Sequence, residues 1–599
     1  MNSTASPQQY RRFRPCLVAA GVALAIQANT PALAATWQLD DNWNLTTNTT
    51  LSLGTSWSLE DPDSKLMTRA DALSIGRKGE GVAYNADDNR LNFEKGDTIS
   101  TVFKGLTEFD LQDGSQGAFV RFKYWYDHAL ETGNGDFTKF DDSGWQDLAR
   151  FKGFETLDAY VWKDFDINGR QLGVKVGKHV LSWGEALFLQ NGVNAINPLD
   201  ASAFNRPGVE LKEGLLPVEM VSFNMTLSDA LSVEGFWQYN FRPSVLDGCG
   251  TFFSPGDNIQ EGCQFATVIA GGTSTTEQAL ATGRYIPRGK TDWASDTGQY
   301  GVAAHYVFES LNETDLGLYY VNYHSRTPQA SGTIATAPLP STATYNSVYP
   351  EDIRLFGASL STVLGTTAVF GELSYRPNQP IGYNGGDTFA VLAGSPTSPA
   401  KPMTPAELAA ARGSEFQGYK RLPVSQFSLG ATDTVNNILG ASRLAWAAEV
   451  GANWVDDIGD DRFGRAGVFG RTPPTNGAAC STGTPGGLTA AQVAAFNARN
   501  CNTDGLIDDF SWGYRLRASL SYEDLLPATV ITPSINWRHD VEGNGPNFQE
   551  GQQAAGVALT FDYRNDYSLE LAYNSFFGSN DFSTIDDRDF ASVTVKASF

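Results

Sequence analysis

The residues that could carry catalysis are few and far apart in this sequence. Histidine, the usual general base near neutral pH, occurs only five times. The five positions are His128, His179, His305, His324 and His539. The chain has no GxSxG elbow, no HExxH zinc motif and no glycine-rich phosphate loop that opens a helix. We therefore expect no enzyme and no cofactor, although a Ser/His/Asp set assembled across strands would leave no trace in sequence.

Two acidic pairs are the best candidates for a metal site. Asp456-Asp457 and Asp460-Asp461 lie close together in a predicted loop. Carboxylate oxygens are the ligands that Ca²⁺ prefers, so these pairs could bind that ion. Such clusters are more often solvated loop charges, and we assign no metal site to them.

The N-terminus predicts secretion. Residues 1–34 combine the basic Arg11, Arg12 and Arg14 with a short apolar run from Leu17 to Ile26, and they end in Ala-Leu-Ala. This is the pattern of a signal peptide cleaved after Ala34, and the apolar run is too short for a membrane anchor. No later segment has about twenty consecutive apolar residues. The net charge of −24 argues against nucleic acid as a partner.

Four cysteines follow the predicted cleavage site, and they form two local pairs in Gly- and Pro-rich segments. In an oxidising compartment we expect the disulfides Cys249–Cys263 and Cys480–Cys501. Four cysteines allow three connectivities, and proximity in sequence is the argument for this one. The spacings resemble no zinc site.

An alternation of apolar and polar residues recurs almost from end to end. In "SWGYRLRASLSYED" the even positions from Trp512 to Tyr522 are apolar, whereas the odd positions include Arg515 and Arg517. A period of two indicates a strand with one apolar and one polar face. Runs of about ten such residues, separated by turns, are typical of transmembrane barrels, in which the apolar face meets lipid.

The connections between these runs are alternately short and long. Residues 35–599 predict one antiparallel barrel domain of about eighteen strands, with sixteen or twenty as alternatives because one hairpin changes the count by two. Short turns would face the periplasm, and long extracellular loops are expected near 58–97, 182–216, 243–296, 377–420 and 456–509. A secreted soluble β-rich protein is the other interpretation, but no 20–50-residue repeat supports it.

Two long loops also predict short helices, and the chain end predicts an assembly signal. Thr404 with Glu407, and Thr489 with Gln492, form capping boxes. The last strand alternates up to the terminal Phe599, which resembles the signal that the outer-membrane assembly machinery reads.

Strand parity predicts which side chains line the barrel. Both charge signs occur on the inward parity, so the sequence favours neither anion nor cation selectivity. These charges could line a path, or they could pair across the lumen and stiffen the wall. The predicted lumen residues are Arg121, Lys123, Asp127, Arg354, Glu372, Glu449, Arg515, Arg517, Arg538 and Glu570.

One long connection, from Gly177 to Met220, is rich in Trp, Asn, Pro and paired charges rather than in low-complexity sequence. A loop of this kind is expected to be ordered and functional. It could fold into the barrel as a constriction or partial plug, or it could pack outside on its neighbours. The constriction candidates are Trp183, Glu185, Asp200, Arg206, Glu210 and Lys212.

Several motifs resemble one family. "GKHVLSWGE", "NAINPLD", "RPGVELKEGLLPVEM", "DDNRLNFEKGD" and "SYRPNQPI" are similar to the recurring motifs of domain-of-unknown-function family 1302, a Gram-negative outer-membrane family. The resemblance implies a large β-barrel without a catalytic site. It also implies genes for a periplasmic lipoprotein-like partner (family 1329) and an RND-type transporter nearby, and hence traffic of hydrophobic small molecules or lipids.

From these observations we expect a protein of the Gram-negative outer membrane that passes small, hydrophobic or lipid-like molecules. Its partners would be the lipid bilayer, the assembly machinery during insertion, the periplasmic lipoprotein-like protein and the transporter. The alternative is a surface adhesin or receptor that uses the barrel only as its membrane anchor. The two differ in whether the lumen conducts.

Overall fold

The computed structural model describes residues 35–81, 84–263, 265–267, 274–474, 489–578 and 581–599. The predicted signal peptide and Cys480 lie outside the described residues. Both the cleavage after Ala34 and the Cys480–Cys501 disulfide therefore stay predictions.

Eighteen antiparallel strands form one closed barrel, as the alternation predicted. Each strand pairs with the next along the chain, and the first pairs with the last, with Leu53 opposite Val595. The strands, named β1 to β18 in chain order, are Asn44–Ser58, Thr98–Gln112, Gln116–Asp127, Lys152–Ile167, Arg170–His179, Val218–Thr226, Leu231–Gln238, Gln299–Phe308, Thr314–Tyr323, Ile353–Leu364, Thr367–Gly382, Tyr419–Ile438, Ala441–Val455, Phe510–Leu526, Thr529–Glu542, Gln552–Tyr563, Tyr567–Gly578 and Phe590–Ser598.

Large apolar side chains cover the outside of this barrel. On β10, for example, Phe356 is 47% exposed, whereas its neighbour Leu355 is fully buried inside. An outward apolar band is what a barrel presents to lipid, because hydrocarbon does not solvate polar side chains. Exposed members of the band occur on most strands and include Val161, Phe223, Trp237, Val302, Leu318, Leu373, Leu429, Leu516, Ile535, Val557 and Leu571.

Short turns lie at one rim and long loops at the other. The β4–β5 turn, for instance, consists of Asn168 and Gly169, both with positive φ (56° and 79°). This is the two-residue Asn-Gly hairpin that the strand twist favours. The five predicted long loops correspond to the observed connections 59–97, 180–217, 239–298, 383–418 and 456–509.

The long connections contain the short helices and additional short strands. In the described part of the chain, each helix is too short or too polar to cross a membrane. Both predicted capping boxes are present, since Thr404 and Thr489 each accept from the amide three residues on. The α-helices are Arg69–Ser74, Asp88–Leu91, His128–Thr132, Ala201–Phe204, Leu211–Gly214, Thr276–Ala281, Gly385–Leu392, Pro405–Ala411 and Ala490–Asn500. The 3₁₀ turns are Ser64–Leu66, Asp147–Ala149, Glu309–Leu311, Pro340–Thr342 and Gly467–Phe469, and the strands outside the eighteen are Ala35–Gln38, Phe265–Thr267, Tyr285–Pro287, Gln329–Thr333, Thr344–Val348 and Glu415–Phe416.

The long loops pack on one another as an ordered cap. Tyr345 is fully buried there, and its hydroxyl donates to the carbonyl of Asn258. A buried ion pair between Arg90 and Asp587 (2.8 Å) joins the first long loop to the connection between β17 and β18. The predicted Cys249–Cys263 disulfide is confirmed in the same cap.

Candidate permeation site in the barrel lumen

The connection between β5 and β6, residues 180–217, folds into the barrel rather than out of it. We call it the plug segment. Trp183 is 3% exposed and packs on Phe236 of β7 and Tyr319 of β9, whose side chains point inward. Its indole N–H donates to Glu234 (2.7 Å). Of the two placements that the sequence left open, the structure therefore has the inward one.

Two glutamates of the wall hold the middle of the plug segment. Glu372 of β11 accepts from the backbone N–H of Glu185 (2.9 Å), Ala186 (3.4 Å) and Val193 (2.5 Å). A buried carboxylate that accepts several amides gains strong charge-assisted hydrogen bonds, which offset its loss of hydration.

Glu449 of β13 holds the plug segment in the same way, at amides that lie between those bound by Glu372. It accepts from the amides of Phe188 (2.5 Å) and Leu189 (3.2 Å). Both predicted lumen glutamates therefore fix the plug segment by its backbone.

Glycines let the Glu372 carboxylate approach. A Cβ at Gly192 would lie 2.0 Å from one carboxylate oxygen, and a Cβ at Gly184 would lie 2.2 Å from the other. Gly184 also has a φ of +83°, a conformation that side chains other than glycine rarely adopt. The glycines at these two positions are therefore required by the contact itself.

Ion pairs hold the second half of the plug segment to β2 and β3. Lys123 contacts Asp200 (2.7 Å) and also donates to the carbonyl of Glu213 (3.1 Å). Lys104 contacts the carboxylate of Glu213 (3.0 Å). All four side chains are buried, so each charge depends on its partner.

The remaining constriction candidates also contact the wall. The Arg206 guanidinium lies 4.9 Å from the Trp125 ring centroid. Lys212 pairs with Glu108 of β2 (3.0 Å), and Glu210 lies 4.0 Å from Lys596 of β18.

Glu185 is the constriction candidate whose carboxyl points at other acids. Burial raises its pKa first, and the neighbouring carboxylates of Asp315 and Glu372 raise it further. Its backbone N–H, rather than its side chain, makes the bond to Glu372. Glu185 therefore protonates more readily than an ordinary glutamate.

Four strands of the wall, β14–β17, do not hold the plug segment. On this side its hydrogen bonds go to Asn547 of the β15–β16 connection, which accepts from the Asn191 amide (2.6 Å) and donates to the carbonyl of Gln190 (2.9 Å). Within the described ranges, none of the plug segment's hydrogen bonds or ion pairs reaches a side chain of these strands. We call β14–β17 the open arc, and the strands that contact the plug segment (β1–β3, β6–β13 and β18) the covered arc. Small residues are paired side by side along the open arc, in the order Ser519, Ser534, Ala558 and Ala572.

Two neighbouring arginines of β14 differ in their surroundings. Arg515 contacts Asp540 (2.6 Å), which Arg538 also contacts (2.6 Å), so Arg515 and Arg538 brace the wall. Arg517 is exposed on the inward parity, and in the described chain it has no hydrogen bond or ion pair. Its partner in register, Asn536, is exposed as well. Arg517 therefore faces open space in the lumen.

Three further predicted lumen residues lie on the inward parity in different roles. Arg121 bridges Glu108 (2.8 Å) and Asp158 (2.7 Å), which makes it a brace. Asp127 accepts from Ser100 and caps the helix His128–Thr132. Glu570 is partly exposed on β17, close to the short-turn rim.

The prediction for Arg354 is wrong. It is exposed on the outward parity of β10, in the same row as Phe356 and Leu360. The inward row of this strand is apolar at Ile353 and Leu355 because plug residues such as Val193 pack against the wall there. The rule that polar residues face the lumen fails wherever a plug creates a hydrophobic core inside the barrel.

Sequence reasoning missed most of the partners that make the lumen charges structural. Lys104, Asp158, Glu234 and Asp540 all lie on inward parity but were not singled out. The alternation of β2 could have found Lys104, whereas the pairings themselves depend on which strands the plug segment reaches.

A family model described as "Protein of unknown function (DUF1302)" matches residues 15–599. The chain belongs to this family. The motifs that carry the resemblance lie largely in the plug segment of this DUF1302 chain. Among curated proteins, no match is found.

Solved structures similar to the DUF1302 chain are outer-membrane porins. A BenF-like porin from Pseudomonas fluorescens Pf-5 has a TM-score of 0.38 and 10% identity over 93% of this chain and 98% of that one. Pseudomonas aeruginosa OccK2 in complex with glucuronate has a TM-score of 0.36 and 9% identity over 93% and 97%. Acinetobacter baumannii OccAB4 has a TM-score of 0.37 and 10% identity over 92% and 98%. Values this low say nothing about what the DUF1302 chain carries.

Proposed function

We propose that this DUF1302 chain is an outer-membrane channel of a Gram-negative bacterium, and that small molecules pass it along the open arc. The observation that carries the proposal is the asymmetry of the lumen. The plug segment is fixed to the covered arc by Glu372, Glu449, Lys104 and Lys123. Small side chains and the unpaired Arg517 remain on the other side.

We propose further that the cargo is hydrophobic or lipid-like, and that a periplasmic lipoprotein-like protein delivers or receives it. An RND-type transporter would work on the same route. The exposed leucines at the short-turn rim support a docking partner, since Leu311, Leu439 and Leu525 are 59%, 76% and 61% exposed.

A second candidate, a surface receptor or adhesin anchored by the barrel, is favoured by the ordered cap. The long loops that form the cap have a hydrophobic cluster of their own, around Ile334, Tyr345, Leu392 and Phe416. Such a cap could present a binding surface without any passage through the lumen.

Planar-bilayer recordings on the purified full-length protein distinguish the two candidates. A channel conducts in discrete steps, and liposomes containing it take up a hydrophobic probe faster than empty liposomes. A barrel that inserts but neither conducts nor speeds uptake would refute the channel and leave the anchored receptor.

The charge of Arg517 provides the sharper test. Because this arginine faces the proposed path without a partner, Arg517→Glu should raise the cation-to-anion permeability ratio by roughly twofold or more. The matched control is Arg354→Glu, which makes the same charge change on the outside of the barrel. Unchanged selectivity in the first variant, or an equal shift in both, would place the path elsewhere.

A further inference from the structure

A cavity of about 390 Å³ opens in the lumen between β4–β7 and the plug segment. It lies on the short-turn side, within a few residues of the β4–β5 and β6–β7 turns. Its wall residues face inward because their neighbours Val161 and Val176 are exposed on the outside. Small-molecule sites have volumes of roughly 300–1,000 Å³. Residues that line this cavity include Tyr160, Trp162, Lys175, Leu181, Asn224 and Glu234.

Lys175 is a cation without a counter-ion in this cavity. Its ammonium lies 4.5 Å from the Tyr160 ring centroid, and among the described residues it has no hydrogen bond or ion pair. Lys104 and Lys123, in contrast, each contact a carboxylate of the plug segment. Asp158 attracts this ammonium without forming an ion pair with it, because Arg121 binds the Asp158 carboxylate. An ammonium partly removed from water without an anion in contact is unfavourable, so an anionic ligand would be stabilised there.

Two acids near Lys175 are already bound by other groups, so neither forms an ion pair with it. Asp158 is bound by Arg121 (2.7 Å), and Glu234 accepts from the Trp183 indole (2.7 Å). Asp164 also lines the cavity, but it is exposed at the short-turn end. There it would repel a second anionic group on the ligand, and thus favour a monoanion over a dianion.

The rest of the lining suits an apolar body. Tyr160 and Trp162 offer aromatic faces, and Leu181 of the plug segment adds an aliphatic one. The Asn224 amide has no hydrogen-bond partner in the described chain, and it offers donors in the row of Gly173 and Asp164, next to the row of Lys175.

We propose that this cavity binds small amphipathic monocarboxylates, with the carboxylate at Lys175 and the apolar body against Tyr160, Trp162 and Leu181. The inference rests on the proposed channel function for its physiological meaning, since it names a class of cargo. Binding itself is independent of conduction and is measured separately.

Titration calorimetry on the full-length protein in nanodiscs tests the site with three probes that share one skeleton. These are 4-phenylbutyrate, 4-phenylbutanol and 4-phenylbutylamine, which differ in the charge of the head. The acid should bind about tenfold or more tightly than the alcohol, because it gains a hydrogen bond between two charged groups. The amine should bind most weakly. Equal affinities for acid and alcohol would overturn the proposal.

Substitutions assign the effect to one residue. Lys175→Met keeps the length of the side chain and should weaken the acid about tenfold without changing the alcohol. Lys175→Arg should retain the preference for the acid. The matched control is Lys163→Met, on the outward face of the adjacent strand, where Lys163 contacts Gln116. An unchanged affinity for the acid in Lys175→Met would refute the site.

The failures of the two proposals are distinguishable. Selective binding of the acid in a barrel that does not conduct would refute the channel and keep the site. Conduction without selective binding would refute the site and keep the channel.

Discussion

Charged side chains have different roles on the covered arc and on the open arc of the barrel wall. On the covered arc, Lys104, Lys123, Glu372 and Glu449 are buried, and each contacts the plug segment. On the open arc, Arg517 is exposed without a partner, and its neighbours are small. A lumen charge therefore becomes structural when a plug removes it from water. The same kind of charge stays exposed in the lumen where the plug is absent.

Release of the plug segment should have the largest effect. In Glu372→Ala/Glu449→Ala five backbone amides lose their acceptor, and each lost bond to a carboxylate costs about 1.5–3 kcal/mol. We expect a loosened plug and a several-fold larger single-channel conductance in planar bilayers. Glu570→Ala, which removes an inward carboxylate of the open arc, is the control. A conductance equal to that of the parent would mean that the plug segment does not narrow the path.

The next largest effect should be on stability: loss of a charge should lower the free energy of unfolding much more on the covered arc than on the open arc. Lys123→Met leaves Asp200 buried without its cation, and removing one partner of a buried pair costs about 3–5 kcal/mol. Arg517→Met removes an exposed charge and should change the free energy of unfolding by about 0.5 kcal/mol or less. Urea unfolding of the barrel in lipid vesicles measures both.

Adding Asp200→Asn to Lys123→Met tests why the single variant is less stable. The second substitution removes the unpaired buried charge and should restore part of the stability. If the double variant were no more stable than Lys123→Met, the loss would come from packing rather than from charge.

The smallest effect is expected from narrowing the open arc. Ala558→Trp adds a large side chain on the inward face of β16 and should reduce the conductance by about half without closing the channel. Val557→Trp makes a comparable change on the lipid side, where Val557 is 48% exposed, and should leave the conductance unchanged. Equal conductances in the two variants would argue against passage along the open arc.

The barrel could be predicted from patterns that are local in the chain. Alternation along each strand, the Asn168-Gly169 turn and the capping boxes at Thr404 and Thr489 depend on residues close together in the chain. The local pairing of Cys249 with Cys263 belongs to the same class. Such features can be predicted because their periodicity and spacing fix the local geometry, whatever the rest of the chain does.

The roles of the lumen residues depend on contacts between parts of the chain that are far apart in sequence. Glu372 and the plug amides that it binds are separated by more than 170 residues. Arg515 differs from Arg517 because Asp540, the His539 carbonyl and the Phe548 ring contact it. Arg354 faces outward because the plug segment makes the inner surface of β10 apolar. A pattern of period two assigns residues to two faces. Long-range packing decides which of those faces contacts water, and a local pattern does not contain that information.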